Sequence, residues 1–206
     1  MLIDKYAVYS HGKYTYKNFI QLSDDELLMI LSWRNHPDIR KCMNTSNIIS
    51  KENHLKFCHN LINRNDVCYW MILKNETPIG VLCIVDINYG EKTCEPGFYL
   101  SPDIMGRGES IYVLSNYKDF LLNVLEFNGL FGHNYKDNVP SIVFTMFFGA
   151  KIIGIKSING RVCIQSYLSR ENFINGVDTD RIVLKYTKFM RTWDTDKFIS
   201  ENCNAE

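Results

Sequence analysis

The stretch Met105-Gly106-Arg107-Gly108-Glu109-Ser110 decides how the chain is interpreted, because it separates a predicted strand from a predicted long helix. Its two glycines lack a Cβ, so the backbone can turn tightly and approach a ligand closely. The helix that follows leaves its first amide groups unpaired, at the positive end of the helix dipole. Such a turn suits a diphosphate, although an ordinary strand-to-helix connection explains the same glycines equally well. It is too short for the motifs GxxxxGKS/T and GxGxxG.

Upstream of this turn the sequence predicts two helices followed by three strands. Ser23 and Glu26 form a capping box ahead of an apolar helix over Leu27–Trp33, and Ser50 caps a second helix. Short runs rich in branched and aromatic residues then predict an antiparallel meander of three strands: Cys68–Leu73, Ile79–Ile87 and Cys94–Leu100.

Downstream of the turn the predicted elements alternate between helix and strand. Apolar residues from Ile111 to Leu125 recur at helical spacing, and Asn159-Gly160 predicts the turn of a hairpin. The other predicted segments are strand Leu130–Tyr135, helix Val139–Phe148, hairpin strands Lys151–Ile158 and Arg161–Leu168, and a last strand Arg181–Phe189. This order predicts the α+β class, with helices packed against one mixed sheet.

The composition indicates a globular protein and limits the classes of partner that it can bind. The chain has 206 residues, 46% of them apolar, and we expect one domain with an N-terminal arm over residues 1–20 and a C-terminal extension over 192–206. Lys and Arg total 23, as do Asp and Glu, so the zero net charge argues against nucleic-acid binding. No apolar run reaches the roughly 20 residues of a membrane span. The seven cysteines form no CxxC, and we expect reduced thiols in a cytoplasmic protein.

The order strand, glycine turn, helix, strand and helix resembles the GNAT superfamily of acyl-CoA-dependent N-acetyltransferases. That resemblance implies a single, mostly antiparallel sheet that splays at the acyl-CoA site, with acetyl-CoA as the co-substrate. Asp103 departs from the superfamily, which usually carries Gln or Arg three residues before the first glycine. The resemblance implies coenzyme contacts from these residues: Phe98, Leu100, Met105, Gly106, Arg107, Gly108, Glu109, Ser110 and Asn138.

A closer resemblance lies in Leu31–Pro37, which reads LSWRNHP, together with Met43, Ile49-Ser50 and the run His54–Phe57. These residues resemble the N-acetyltransferases of pseudaminic acid biosynthesis, and the similarity extends from about Ser23 to about Phe189. It implies that the acceptor is a small-molecule amine, a UDP- or dTDP-linked amino sugar.

The same resemblance implies roles for six side chains in acceptor binding. Arg34 and His54 would bind the diphosphate, since a guanidinium fork reaches two phosphate oxygens at once. Met43 and Phe57 would form an apolar wall beside the base or sugar, although such residues are more often part of the core. The other two are Tyr99, which would face the substrate, and Asp86, which replaces a lysine of this branch and would attract an amine.

Acetyl transfer to an amine needs a base for the ammonium proton and a proton for the departing thiolate. Glu95 and His133 lie on consecutive predicted strands and are the two candidate bases, although either could be an ordinary strand residue. The superfamily carries a tyrosine acid where this chain has Thr145, whose hydroxyl is far less acidic. Tyr135 and water are the alternative proton donors.

Two other functions remain open. Asp86 and Glu95 would suit another amine, such as a protein N-terminus, an aminoglycoside or a polyamine, whereas Thr145 would suit an acyl-CoA-binding module without turnover. His54, Cys58 and His59 have helical i, i+4 spacing, but no further ligand follows at a recognisable interval, so we expect no metal. The predicted sheet edges permit a homodimer without demanding one.

Overall fold

The structure is a computed structural model that describes residues 3–158, 160–173, 181–197 and 200. The α-helices are α1 (Asp24–Arg34), α2 (Pro37–Arg40), α3 (Lys51–Asn60), α4 (Glu109–Asp119), α5 (Val139–Phe147) and α6 (Ile182–Arg191). The strands are β1 (Tyr9–His11), β2 (Tyr14–Asn18), β3 (Cys68–Lys74), β4 (Thr77–Asn88), β5 (Thr93–Leu100), β6 (Gly129–Tyr135), β7 (Lys151–Ile158) and β8 (Arg161–Ser169). Among these described residues, no helix combines the length and apolar content needed to cross a bilayer.

The eight strands form one mixed sheet in the order β1-β2-β3-β4-β5-β6-β8-β7. Antiparallel pairing joins β1, β2, β3 and β4 in turn, and likewise β6, β8 and β7. β5 and β6 run parallel and pair at Thr93 with Gly129 and at Cys94 with Leu130. The predicted α+β class, with a single and mostly antiparallel sheet, is therefore confirmed, and its splay at an acyl-CoA site stays a prediction.

Both predicted helix starts are confirmed by their capping hydrogen bonds. The Ser23 hydroxyl accepts from the Glu26 amide, and the Glu26 carboxylate accepts from the Ser23 amide at 2.8 Å, completing the capping box of α1. The Ser50 hydroxyl accepts from the Asn53 amide at the start of α3. Pro37, expected to end the first helix or to follow its end closely, comes three residues after the last residue of α1 and opens the short α2.

The chain divides into two compact units, and the first comprises Met1–Tyr89 and Pro96–Ser110. Its core is built where α1 and α3 cover strands β3 and β4. The buried residues of this core are Phe19, Leu27, Ile30, Trp33, Ile39, Cys58, Leu61, Val67, Met71 and Val81. The predicted N-terminal arm contributes the strands β1 and β2 to this unit.

The second unit comprises Gly90–Glu95 and Ile111–Glu206. Its core lies on α4, on the π-helical turn Phe120–Val124 that continues it, and on α5. The following side chains are completely buried: Val113, Phe120, Leu121, Leu122, Ile142, Val143 and Phe148. On β6, a Cβ added to Gly129 would overlap the hydroxyl and ring of Tyr167, so this glycine makes room for the tyrosine.

One predicted strand is wrong, because Arg181–Phe189 lies mostly within helix α6. Ile182, Tyr186, Phe189 and Trp193 recur at helical spacing, whereas Ile182-Val183-Leu184 suggests a strand when taken alone. Tertiary contacts favour the helix: the Tyr186 ring stacks on Phe144 with centroids 4.5 Å apart. The hairpin β7–β8 is confirmed, with Gly160 at φ +74°, while Asn159 and the end of the extension, 201–206, lie outside the described residues.

Candidate active site

The turn between β5 and α4 is exposed and adopts the backbone that its glycines were expected to supply. Gly106 and Gly108 have φ angles of +75° and +80°, in the left-handed region that favours glycine. A Cβ added at either position would meet nothing within 4 Å apart from its chain neighbours, so both glycines face open space.

Some backbone amides of this turn donate to carbonyls within it, and others are free to bind a ligand. Those of Met105 and Arg107 donate to the carbonyls of Ser101 and Ile104, whereas those of Gly106 and Gly108 have no backbone acceptor among the described residues. The first amides of α4 also lack an acceptor by helix geometry. Several N–H groups at the positive end of a helix dipole can therefore receive an anion.

Glu109, the first residue of α4, is bonded to two other residues of the first unit. Its carboxylate accepts hydrogen bonds from Lys74 Nζ at 2.8 Å and from the Tyr14 hydroxyl at 2.6 Å. Burial opposes ionisation of this carboxyl, but the bonds from Lys74 and Tyr14 outweigh it and lower the pKa of Glu109. The side chain of Glu109 is thus committed to holding the turn, and a coenzyme contact predicted for this residue would have to come from its amide.

The remaining coenzyme-contact candidates lie on three elements. Leu100 on β5 is buried, with 4% of its surface exposed, so only its backbone could reach a ligand. Phe98 is half-buried on the same strand, whereas Met105 is exposed. The Asn138 side chain makes no capping hydrogen bond to α5, which leaves its side-chain amide available to a ligand.

The two candidate bases meet in the second unit. His133 Nδ1 lies 2.5 Å from Glu95 Oε2, and His133 Nε2 lies 2.9 Å from the side-chain nitrogen of Gln165. The His133 and Glu95 side chains are 23% and 22% exposed, so both are largely shielded and still reachable. A carboxylate that accepts from Nδ1–H fixes the tautomer and the orientation of the imidazole ring.

The structure does not bring Thr145 to this pair. The Thr145 hydroxyl donates to the Ser141 carbonyl at 2.8 Å, within its own helix. Its methyl group lies 3.8 Å from the place that a Cβ on Gly132 would occupy, and successive strand residues face opposite sides, so His133 points away from it. Tyr135, the alternative donor, is buried at 6% exposure, with the Arg161 guanidinium 3.7 Å from its ring centroid.

In the first unit, Arg34 belongs to a pair of arginines that bind neighbouring carbonyls. Arg34 Nη2 donates to the Thr45 carbonyl and Arg40 Nη1 to the Ser46 carbonyl, each at 2.8 Å. Arg34 Nη1 and Arg40 Nε are buried without a hydrogen-bond partner among the described residues. Burial, together with the neighbouring Arg40 charge, lowers the pKa of Arg34, and the hydroxyls of Tyr99 and Tyr69 oppose that shift.

His54 lies deeper than a phosphate contact requires. It is 6% exposed, and its Nε2 bonds the Leu27 carbonyl at 3.0 Å, which ties α3 to α1. Burial lowers the pKa of His54, and Arg34 adds to that shift. His59 instead contacts Asp24 at 3.0 Å, so the two histidines do not converge. Within the described chain no three His, Cys, Asp or Glu residues cluster as metal ligands would.

The other acceptor-site candidates line the surface of the first core. Met43 and Tyr99 pack partly buried against it, and burial raises the pKa of Tyr99. Phe57 is 37% exposed and meets Tyr69 edge to face, with centroids 5.3 Å apart. Asp86 is exposed, with a left-handed φ of +50° that an aspartate tolerates.

Sequence reasoning missed Arg40 and Gln165. Arg40 follows Arg34 by six residues across a helix break, a spacing that no helical periodicity connects. Gln165 becomes the partner of His133 only through the β6–β8 register, which pairs the two residues directly. Knowledge of the strand order would have found Gln165, whereas Arg40 required the path of the loop that carries Thr45 and Ser46.

Comparison with known proteins gives a consistent result, although no family model matches the chain. Acetyltransferase PseH of Campylobacter jejuni subsp. jejuni serotype O:2 is 36% identical over 122 residues, which make up 59% of this chain and 74% of that protein. The protein of the same name from serotype O:23/36 is 34% identical, with the same coverage of 59% and 74%.

Two solved structures share the fold. The Campylobacter jejuni N-acetyltransferase PseH in complex with acetyl coenzyme A has a TM-score of 0.59 at 23% identity, covering 76% of this chain and 98% of that one. Spermidine N-acetyltransferase from Vibrio cholerae in complex with CoA and spermine has a TM-score of 0.69 at 17% identity, covering 79% and 99%. With the sheet, the glycine turn and the curated relatives in agreement, the chain belongs to the PseH family of GNAT-fold acetyltransferases.

Proposed function

We propose that this protein transfers the acetyl group of acetyl-CoA to the amino group of a nucleotide-linked amino sugar. The observation that carries the proposal is the uncovered turn at Gly106 and Gly108, whose unpaired amides suit a pyrophosphate. The solved relative in complex with acetyl coenzyme A supports the same co-substrate. The amides of Gly106, Gly108, Glu109 and Ser110 would hold the pyrophosphate.

The acceptor's phosphates would bind at Arg34 and Arg40. Each guanidinium keeps a buried nitrogen without a partner, and neither has a carboxylate among its contacts in the described chain. A diphosphate offers oxygen acceptors to both groups and relieves the repulsion between their charges. Met43 and Phe57 supply apolar surface to the same unit. Because His54 is buried, its contribution would be to hold α1 in place through its hydrogen bond to the Leu27 carbonyl.

Glu95 and His133 would act together as the base. The Nδ1–H of His133 donates to Glu95 Oε2, which leaves Glu95 Oε1 to receive the ammonium proton directly or through water. The neutral amine then attacks the thioester carbonyl, the new C–N bond forms and the C–S bond breaks. Since the Thr145 hydroxyl donates to Ser141, water would return the proton to the thiolate. Most of the rate comes from holding amine and thioester together.

The test is acetyl transfer with purified protein, acetyl-CoA and a panel of UDP- and dTDP-linked 4-amino sugars, measured by release of free thiol. We expect one sugar to accelerate thiol release by at least about 100-fold over acetyl-CoA alone, since oriented binding lowers the barrier by several kcal/mol. A panel in which no sugar exceeds the background rate would show that the substrate class is wrong.

A polyamine is the second candidate acceptor, favoured by the exposed carboxylate of Asp86 and by the structural likeness to the spermidine enzyme. Spermidine and spermine therefore belong in the same assay. Turnover of a polyamine with every sugar inert would reverse the order of the two candidates. Binding of acetyl-CoA by calorimetry, with no acceptor modified, would instead indicate a non-catalytic module.

The reaction would take place in the cytoplasm. Six cysteines of the described chain, at positions 42, 58, 68, 83, 94 and 163, are free thiols. Thiols persist in that state in a reducing compartment.

A further inference from the structure

We infer that Gln165 is a positioning residue for the Glu95–His133 base, which it keeps oriented by bonding the His133 ring in both of its protonation states. The inference rests on the proposed function of that pair. Gln165 lies on β8 directly opposite His133 on β6, and the two side chains share one face of the sheet. Its side-chain nitrogen is 2.9 Å from His133 Nε2.

The side-chain amide suits this role because it carries both a donor and an acceptor. When the ring is neutral with its proton on Nδ1, the amide N–H of Gln165 donates to Nε2. When the ring is protonated, a half-turn of the amide brings its carbonyl oxygen to accept from Nε2–H. A carboxylate or an ammonium in this place could serve one state only. Gln165 therefore holds the ring against Glu95 whether the ring is neutral or protonated.

Gly154 provides the room for that rotation. It pairs with Gln165 across the β7–β8 hairpin, beside an irregularity in the register between Ile152 and Gly154. A Cβ at this position would lie 3.2 Å from the Gln165 amide oxygen, closer than an unstrained contact. The glycine thus keeps the side chain of its cross-strand neighbour uncrowded.

The other titratable groups on this face are few and identifiable. They are Tyr135, Lys151, Lys156, Arg161, Cys163 and Tyr167, with Asp137 paired to Arg161 at 2.7 Å. Burial raises the pKa of Cys163, with the Glu95 carboxylate adding to the shift and Lys156 opposing it. None of these groups bonds the His133 ring in the described chain, so a change at Gln165 acts on His133 first.

The decisive experiment follows the titration of His133 by NMR of the imidazole nitrogens in Gln165→Glu and Gln165→Leu. Gln165→Glu offers only acceptors, so we expect the His133 midpoint to rise by about one pH unit. Gln165→Leu removes the bond and should leave the midpoint unchanged or lower. Val162→Glu is the matched control, because it adds the same charge to the opposite face of β8 at an exposed site. Equal midpoints in Gln165→Glu and in the control would overturn the inference.

Kinetics supply the second readout. The acidic limb of the kcat/KM profile should move with the NMR midpoint in Gln165→Glu, and Gln165→Leu should lower kcat about tenfold with little change in KM. Gly154→Ala should lower kcat about threefold by hindering the amide. Wild-type-like kinetics in all three variants would also overturn the inference. If no acceptor is turned over while the NMR midpoints shift as expected, the proposed function fails and the role of Gln165 at His133 stands.

Discussion

The side chains around Arg34 and those around His133 differ in how completely their polar groups are bonded. Arg34 and Arg40 each keep a buried nitrogen without a partner among the described residues, whereas both ring nitrogens of His133 are bonded. An unbonded buried donor costs about 1–3 kcal/mol, so the arginines gain from receiving an acceptor. The ring of His133, by contrast, already has a hydrogen-bond partner at each nitrogen and needs no ligand to satisfy it. The contrast separates a group that binds an anion from a group that moves a proton.

The largest effect should come from breaking the His133 group. Glu95→Gln and His133→Gln should each lower kcat/KM about 100- to 1,000-fold, because general-base catalysis contributes that much. The double variant should lose no more than the worse single variant, since residues that act as a unit are not additive. Thiol-release kinetics measure all three. Glu171→Gln removes an exposed carboxylate of the same unit and serves as the control. Multiplying losses in the double variant would contradict a shared role.

The next largest effect should come from the arginines. Arg34→Gln should raise the KM of the nucleotide sugar about 30-fold and Arg40→Gln about tenfold, while the KM of acetyl-CoA stays constant, because charge-assisted phosphate contacts contribute about 1.5–3 kcal/mol each. Arg64→Gln is the matched control, since that arginine is exposed and paired with Asp66. Should the Arg40 variant match the Arg64 control, the second guanidinium would have no part in binding.

A smaller effect should follow from the glycine turn. Gly108→Ala should raise the KM of acetyl-CoA about fivefold, because a Cβ at φ +80° strains the backbone although it meets no atom within 4 Å. Gly108→Asn should do less harm, since asparagine tolerates that conformation better. Initial rates at varied acetyl-CoA provide the measurement. If alanine and asparagine behave alike, left-handed strain would not be the cause.

Lys118 gives a third case for the comparison, because it is a buried cation that belongs neither to the Arg34 group nor to the His133 group. Burial lowers its pKa from 10.5 to about 8, and its ammonium lies 6.0 Å from the Phe148 ring centroid. Below pH 8 Lys118 is charged in both the folded and the unfolded chain, and the cost of burying that charge is fully present. Between pH 8 and 10.5 the folded chain loses the proton first, so the free energy of unfolding rises with pH.

Lys118→Met should accordingly raise the free energy of unfolding by about 2–3 kcal/mol at pH 7, with turnover unchanged. The gain should shrink as the pH rises from 8 to 10.5 and beyond, because Lys118 is neutral in both the folded and the unfolded chain only above 10.5. Urea unfolding at several pH values measures it. A gain independent of pH would point to packing instead of charge.

Local signals carried most of the fold. The capping box at Ser23, the capped α3 and the Asn159-Gly160 hairpin each depend on a few neighbouring residues, and each element formed as expected. Helix α6 failed as a prediction because its type depends on rings of α5, above all the stacking of Tyr186 on Phe144. A branched start at Ile182 looks like a strand until those contacts are known.

The candidate site was less accessible from sequence. The pairing of Glu95 with His133 joins residues 38 positions apart and depends on which strands are neighbours. The exposure of His54 was misjudged, because its burial follows from the way α3 meets α1. Thr145 was selected by its place in a resemblance, whereas its hydroxyl proved to be occupied within α5.

The fit of Tyr167 over Gly129 has an evolutionary consequence. A side chain at position 129 would collide with that ring as it is placed, so Gly129 is constrained for as long as Tyr167 is kept. Homologous chains that carry a larger residue at the first position should lack a large aromatic at the second, and the two positions should covary across the family. In an alignment of relatives, the residues at positions 129 and 167 would then show how the pairing of β6 and β8 has been preserved.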